Sequence, residues 1–178
     1  MGGRTSAGGG AGGGGAAMTP ETGFGVITNM TPAEVRGLSK ERQLDALMTG
    51  DSLSRGNDPR SAQTREALGG LKPVNGQYVA TRDQEGAARR LYDNGKWTKA
   101  NEREADRIGS LRRNGDDRAH LKEAVKYANS IPWTKAGIQS AFRVANAMEN
   151  GNDHNAANLI VRNRAVLMAN GRTGLKAK

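Results

Sequence analysis

The sequence predicts a mainly α-helical protein, a compact bundle of about seven helices with at most a minor β-hairpin. Hydrophobic residues make up 35 % of the chain and aromatic residues only 4 %, so the core must rest on Leu, Ala, Val, Ile and Met. That composition favours helix-on-helix packing over a β-sandwich. Recurrent Thr and Ser at positions typical of helix starts point the same way, as does an internal repeat in the C-terminal half.

The chain divides into a leader, one domain and a tail. Residues 1–17, MGGRTSAGGGAGGGGAA, contain no side chains that can form a core, and we predict a disordered glycine-rich leader. Residues 18–170 are expected to form a single helical domain, with N-terminal helices and a turn up to residue 80 and a repeat region from residue 81. Residues 171–178 are expected to be a flexible basic tail.

Three short helices and a turn are predicted in the N-terminal part. Residues 31–34 (TPAE) form a capping box with proline at the first helical position, and Ser39 is the expected cap of a helix that ends at Met48. A third helix is predicted at 61–68, where two glycines end it. Asn75-Gly76 is a hairpin signal with very short flanks, so we predict a turn, with at most a two-stranded pairing to residues 25–28.

Five helices are predicted from residue 81 onward. They begin at Thr81, Thr98, Asp117, Thr134 and about Asp153. The third is expected to end before Pro132. The others are expected to end at the Asn-Gly pairs that begin at positions 94, 114, 150 and 170, because such a pair supplies the left-handed residue of a helix C-cap.

An internal repeat relates two of these helices. Residues 97–117 align without gaps to residues 133–153, and nine of 21 positions are identical. The repeat predicts two stacked helical hairpins of about 36 residues, 97–132 and 133–168, and a partial third copy begins at Thr81. In each copy an Ala and the aliphatic residue three positions later are expected to pack inward, whereas the Arg two positions after the Ala is expected to point outward.

The charge of the chain favours a polyanionic partner. The net charge is +9 and the isoelectric point about 10.3, and residues 133–178 are the most basic part. We predict a nucleic-acid-binding or partner-binding face built from the equivalent arginines and their neighbours: Arg90, Arg107, Arg112, Arg113, Arg143, Arg162 and Arg164. The alternative is that these arginines pair with local acids such as Glu104 and Asp106 and form a solvated surface.

Other residues of chemical interest have structural interpretations. Trp97 and Trp133 could stack on bases, but residues that precede a helix cap usually pack as hydrophobic staples, and we favour the staple. His120 and His154 lie beside aspartates that could complete a metal or general-base site, yet helix capping explains those aspartates equally well. We therefore predict no catalytic residue, no metal and no cofactor.

The chain has no cysteine and no apolar run long enough to span a membrane, so we expect a protein of the reducing host-cell cytoplasm with no membrane partner. The opening Met-Gly-Gly-Arg, followed by Ser, Ala and Gly, resembles the leader of phage and prophage proteins that begin Met-Gly-Gly-Arg-Gly. Some of those proteins are related to Mu-type minor head proteins or are encoded beside them. Thr5 replaces the usual glycine here. The resemblance implies a mobile-element origin, and it assigns no functional residue.

Together these observations predict a non-enzymatic phage-type accessory protein. It would bind nucleic acid, or a host complex that handles nucleic acid, such as a defence nuclease inhibited in the manner of an anti-CRISPR protein, through a basic helical face. The alternative is a structural or assembly protein of the virion, with the leader as a flexible tether. Self-association into a homo-oligomer is compatible with either function. An enzyme would require His120 or His154 in a pocket with two or more acids.

Overall fold

The computed structural model describes residues 30–48, 59–92, 98–113, 117–150 and 156–173. Over these ranges the chain forms eight α-helices and no named strand, which confirms the predicted helical bundle and the eight helix positions expected from the sequence. The helices are α1 (Pro32–Arg36), α2 (Lys40–Met48), α3 (Pro59–Leu68), α4 (Arg82–Tyr92), α5 (Lys99–Arg113), α6 (Asp117–Asn129), α7 (Lys135–Asn150) and α8 (Ala156–Thr173). The leader, the strand expected at 25–28 and residues 174–178 lie outside the described residues.

Hydroxyl side chains begin these helices where the sequence predicts caps. The Oγ1 atom of Thr31 accepts from the backbone N–H of Glu34, and the Glu34 carboxylate accepts from the Thr31 N–H at 2.8 Å, which completes a capping box. Four further caps accept from the N–H three residues on, at 2.9–3.3 Å, and they are Ser39, Thr81, Thr98 and Thr134. Each cap satisfies an amide that the first turn of a helix leaves without an internal partner.

The repeat folds as two stacked helical hairpins. Helices α5 and α6 form the first hairpin and α7 and α8 the second, and the hairpins stack with α5 against α7 and α6 against α8. Helix α8 is the centre of the bundle, because α4, α6 and α7 all pack against it. Every residue from 157 to 170 is buried, so α8 has no solvent-facing side along this stretch.

Helix α8 continues beyond its predicted end. The sequence analysis places a C-cap at Asn170-Gly171, but the helix runs on to Thr173. Asn170 is 1 % exposed, and its amide donates to the carbonyl oxygens of Gln84 and Val166, both at 2.9 Å. This asparagine therefore serves as an internal tether to α4 and is not a left-handed terminator.

The Asn75-Gly76 turn forms as predicted. Val74 and Gln77 exchange two backbone hydrogen bonds of 2.9 and 3.0 Å, and both central residues have positive φ angles, 50° and 81°. These angles suit a two-residue turn of the type that Asn-Gly favours. Side chains from distant helices hold the surrounding loop: Asn163 of α8 donates to the Tyr78 carbonyl and accepts from the Ala80 N–H.

The inward faces of the repeat are mostly as predicted. In α5 and α7 the expected residues are all at most 5 % exposed, and they are Ala105, Ile108, Ala141 and Val144. The expectation is wrong for Leu91 in the partial copy, which is 49 % exposed. Tyr92 takes the inward position there, four residues after the buried Ala88, and its ring stacks near Phe142 with 6.4 Å between centroids.

Candidate nucleic-acid interface

The three arginines at equivalent repeat positions do not share one environment. Arg90 is exposed on α4. Arg107 is also exposed, but it is bound by two carboxylates: its Nη2 lies 2.8 Å from Glu104 Oε1, and its Nη1 pairs with Glu123. Arg143 is partly buried, and its Nε atom is buried without a hydrogen-bond partner in the described part of the chain. The repeat arginine is thus exposed in two copies and partly buried in the third, so the expectation that it points outward in each copy is wrong for Arg143.

The Arg107 environment explains why this arginine is a poor candidate for binding an anion. The hydrogen bonds that Arg107 donates to Glu104 and Glu123 raise the pKa of Arg107 further above its ordinary value. The hydrogen bond from Arg107 in turn lowers the pKa of the Glu104 carboxyl. A phosphate would therefore have to displace an existing ion pair to bind Arg107.

The structure corrects the placement of Arg162 and Arg164, which are buried in α8. Arg162 is 1 % exposed, lies over the Phe142 ring at 5.9 Å and donates to the side-chain oxygen of Asn146. Arg164 is 7 % exposed and donates to the Lys72 carbonyl. Burial lowers the pKa of Arg164. Both side chains are used inside the bundle, so neither contributes to an outer basic face.

Several residues singled out by sequence lie outside the described part. The side chains of Arg112 and Arg113 do so, and so do Trp97 and His154. His120 is described, and it is a packing residue at 1 % exposure whose Nδ1 donates to the Ile108 carbonyl at 2.8 Å. No group of three or more His, Asp or Glu residues suited to hold a metal ion occurs among the described residues.

A line of cations that the sequence analysis did not single out lies on α6. Among the α6 side chains that the structure describes, the exposed ones are Arg118, Lys122 and Lys126. They are four residues apart, so each step advances about 6 Å along the helix while turning only about 40° around it. The three cations therefore form one line along the outer side of α6, about 12 Å from end to end.

Lys72 extends this line beyond the end of α6. Asn129 in the last turn of α6 accepts from the Lys72 backbone N–H at 3.0 Å and donates to the Gly70 carbonyl at 3.0 Å. These bonds hold the Lys72 backbone beside the last turn of α6, three residues after Lys126 in that helix, and Lys72 is exposed. We refer to Arg118, Lys122, Lys126 and Lys72 together as the basic track.

Few acids compete for the basic track. Glu123 is directed toward Arg107 of α5 and is only partly exposed. Glu66 of α3 lies 3.2 Å from the Nε of Arg118, and both side chains are about half exposed, at 48 % and 57 %. An exposed pair of this kind contributes little stability and can be exchanged for another anion. Within the described ranges, neither Lys122 nor Lys126 forms an ion pair.

The signal for this line is present in the sequence. Arg118, Lys122 and Lys126 follow a spacing of four within a helix that the sequence predicts. Selecting arginines by their equivalence in the repeat favoured Arg107 and Arg143 instead. Equivalent positions differ in exposure because α7 is packed against α4, α5 and α8, whereas the main neighbours of α5 are α6 and α7.

Trp133 is the other exposed feature of note. Its side chain is 51 % exposed, although the sequence analysis favours a packed staple. The ring edge lies over the last turn of α8, 3.4 Å from where a Cβ at Gly171 would be. Packing therefore uses only part of the indole.

Comparison with protein-family models, curated proteins and solved structures gave no match. Within the described ranges, no helix combines the length and the apolar composition needed to cross a lipid bilayer. The fold and its surface charges are thus the basis for a functional assignment.

Proposed function

We propose that this protein binds nucleic acid without catalysing a reaction, and that the basic track is its contact surface. The observation that carries the proposal is that, among the α6 side chains that the structure describes, the exposed ones are all cations. Three cations stand in line there, Lys72 continues the line, and Glu66 is the acid that pairs with it.

The geometry suits a phosphate backbone. Phosphates repeat along a nucleic-acid strand, and cations spaced about 6 Å apart on a rigid helix can contact successive phosphates without reorganising the protein. Binding would release the counterions condensed on the strand, and this release supplies most of the affinity in sequence-independent complexes. Lysine and arginine contacts of this kind position a strand and carry no base specificity.

The biological setting follows as a narrower proposal. The Met-Gly-Gly-Arg leader supports a phage or prophage origin, and a basic, cysteine-free accessory protein fits the host cytoplasm. In that setting the protein acts on nucleic acid directly or on a complex that holds it, such as a defence nuclease.

The test is the affinity of two matched double variants for labelled DNA and RNA at low salt. Lys122→Glu with Lys126→Glu reverses two cations of the basic track. Lys99→Glu with Arg103→Glu reverses two exposed cations on α5 with the same spacing and the same change in net charge. We expect the α6 variant to lose roughly 50-fold in affinity and the α5 variant to lose less than about threefold.

All four residues are exposed, so we expect both variants to remain folded, and circular dichroism checks this. Equal losses in the two variants would mean that net charge alone drives binding, and would overturn the proposed surface. No binding of the unaltered protein at low salt would overturn the function. Co-purification with virus particles would then favour the virion assembly function.

A further inference from the structure

We infer that the bound nucleic acid is single-stranded and that one of its unpaired bases stacks on Trp133. The inference rests on the proposed function and adds a second contact to it. A half-exposed indole offers a flat apolar surface of the kind that bases use in single-strand complexes. Bases within a duplex are covered by their neighbours, so a base can reach such a surface only when it is unpaired.

Contacts with the ends of two other segments hold Trp133 in place. A Cβ at Gly171 would approach the Asn75 Nδ2 atom to 2.9 Å and the Trp133 ring to 3.4 Å. Gly171 therefore permits the Asn75 side chain and the indole edge to meet the last turn of α8. Because one edge is packed and about half of the side chain is exposed, the indole is positioned without being covered.

The basic track leads to this position. Asn129, which holds Lys72 at the end of the track, is four residues before Trp133 in the chain. Lys72 is three residues before Asn75, which reaches Gly171 beside the indole. A strand whose phosphates follow α6 from Arg118 toward Lys72 would thus arrive at the end of the bundle where Trp133 lies.

The charge at this end of the bundle suits an anionic strand. Three segments meet there, residues 69–81, 129–138 and 169–172, and none of them contains Asp or Glu. The first turn of α4, which Asn170 binds at the Gln84 carbonyl, contributes the acids Asp83 and Glu85 on the α4 side. The three segments contribute three exposed cations, and these are Lys72, Lys135 and Arg172. The Arg36 side chain packs near Gly76 in the first of these segments and adds a fourth exposed cation. An exposed aromatic ring with cations on several sides is typical of single-strand binding surfaces.

The experiment uses the full chain with Trp97→Phe, which leaves Trp133 as the remaining tryptophan of the two. Its fluorescence is followed during titration with an oligothymidylate of about 12 nucleotides and, separately, with a duplex of the same length. We expect the oligothymidylate to quench the emission and the duplex to leave it unchanged. In the chain with both tryptophans, Trp133→Ala is expected to weaken oligothymidylate binding roughly tenfold and Trp133→Phe less than about threefold.

A matched control is Leu91→Ala, which removes the other large apolar side chain exposed in the described residues and should leave the affinity unchanged. Any one of three results would overturn the inference: equal affinity for the oligothymidylate and the duplex, no quenching of the Trp133 emission, or an unaltered affinity of the Trp133→Ala variant. If the Lys122 and Lys126 reversals still weakened binding, the proposed function would stand without it. A protein that binds neither probe at low salt would overturn both.

Discussion

Helices α5 and α6 belong to the same hairpin, yet their outer surfaces carry charge in different ways. Among the α5 side chains that the structure describes, the exposed charged ones alternate in sign, and they are Lys99, Glu102, Arg103, Asp106 and Arg107. On α6 the exposed side chains in the described part are cations. Arg107 is paired with a carboxylate from each helix, Glu104 and Glu123, and these pairs bring the two surfaces together.

This comparison teaches that the number of basic residues in a segment is a poor guide to where an anion binds. Residues 133–178 are the most basic part of the sequence, but Arg162 and Arg164 are inside the bundle. Helix α5 carries several cations, but its neighbouring acids already balance them. We expect an anion to bind where cations are exposed, aligned and weakly paired, as Lys122 and Lys126 are on α6 and as Arg118 is through its exposed pair with Glu66.

The largest loss of stability is expected from a substitution in the buried interface between α5 and α6. His120 of α6 is 1 % exposed and donates to the Ile108 carbonyl of α5. His120→Ala leaves a cavity and removes this bond, so the free energy of unfolding should fall by about 3 kcal/mol. Urea denaturation measures the change. The Lys122 and Lys126 reversals on the outer face should alter stability by less than about 0.5 kcal/mol, and a comparable loss in both would contradict the separation of fold from surface.

A smaller change, in affinity for nucleic acid, is expected when the acids between α5 and α6 are neutralised. The double variant Glu104→Gln with Glu123→Gln removes both carboxylates that pair with Arg107. Arg107 then adds an unpaired positive charge where α5 meets α6. We expect affinity for oligothymidylate to rise by about threefold at low salt, measured by fluorescence anisotropy. Because exposed pairs contribute little, the melting temperature should change by only a few degrees. An unchanged affinity would show that Arg107 lies outside the reach of the bound strand.

Much of the fold follows from local signals in the sequence. Five hydroxyl residues cap helices because each lies three residues before a backbone amide that has no partner within the helix. They are Thr31, Ser39, Thr81, Thr98 and Thr134. The stacked hairpins follow from the repeat, since equivalent apolar positions must find equivalent neighbours. These features depend on residues that are close in the chain or related by the repeat.

The burial of α8 depends on residues that are far apart in the chain. Polar side chains suggest a solvent-facing side for this helix, but they find partners in distant segments: Asn163 binds Tyr78 and Ala80, Asn170 binds Gln84, and Arg164 binds Lys72. The sequence separations range from 83 to 92 residues. A buried polar group is tolerated once it is hydrogen-bonded, and no local pattern distinguishes it from an exposed one.

Equivalent positions of the repeat also differ in structure, because their tertiary contacts differ. Asn101 in the first turn of α5 completes a capping box with Thr98. The equivalent residue of α7 is Gly137, where a Cβ would lie 2.7 Å from the Pro132 carbonyl oxygen. The candidate site was missed for a related reason, because equivalence in the repeat does not imply equal exposure, whereas the spacing of four on α6 does identify its cations.

The most direct test of the basic track is the salt dependence of oligothymidylate binding in two neutralising variants. The α6 variant carries Lys122→Gln and Lys126→Gln, and the α5 variant carries Lys99→Gln and Arg103→Gln. Both are compared with the unaltered protein from about 50 to 200 mM salt. If α6 contacts the phosphates, the slope of log K against log salt concentration should shrink by about 1.4 in the α6 variant and stay unchanged in the α5 variant. Equal slopes in all three proteins, or a larger change in the α5 variant, would contradict the account.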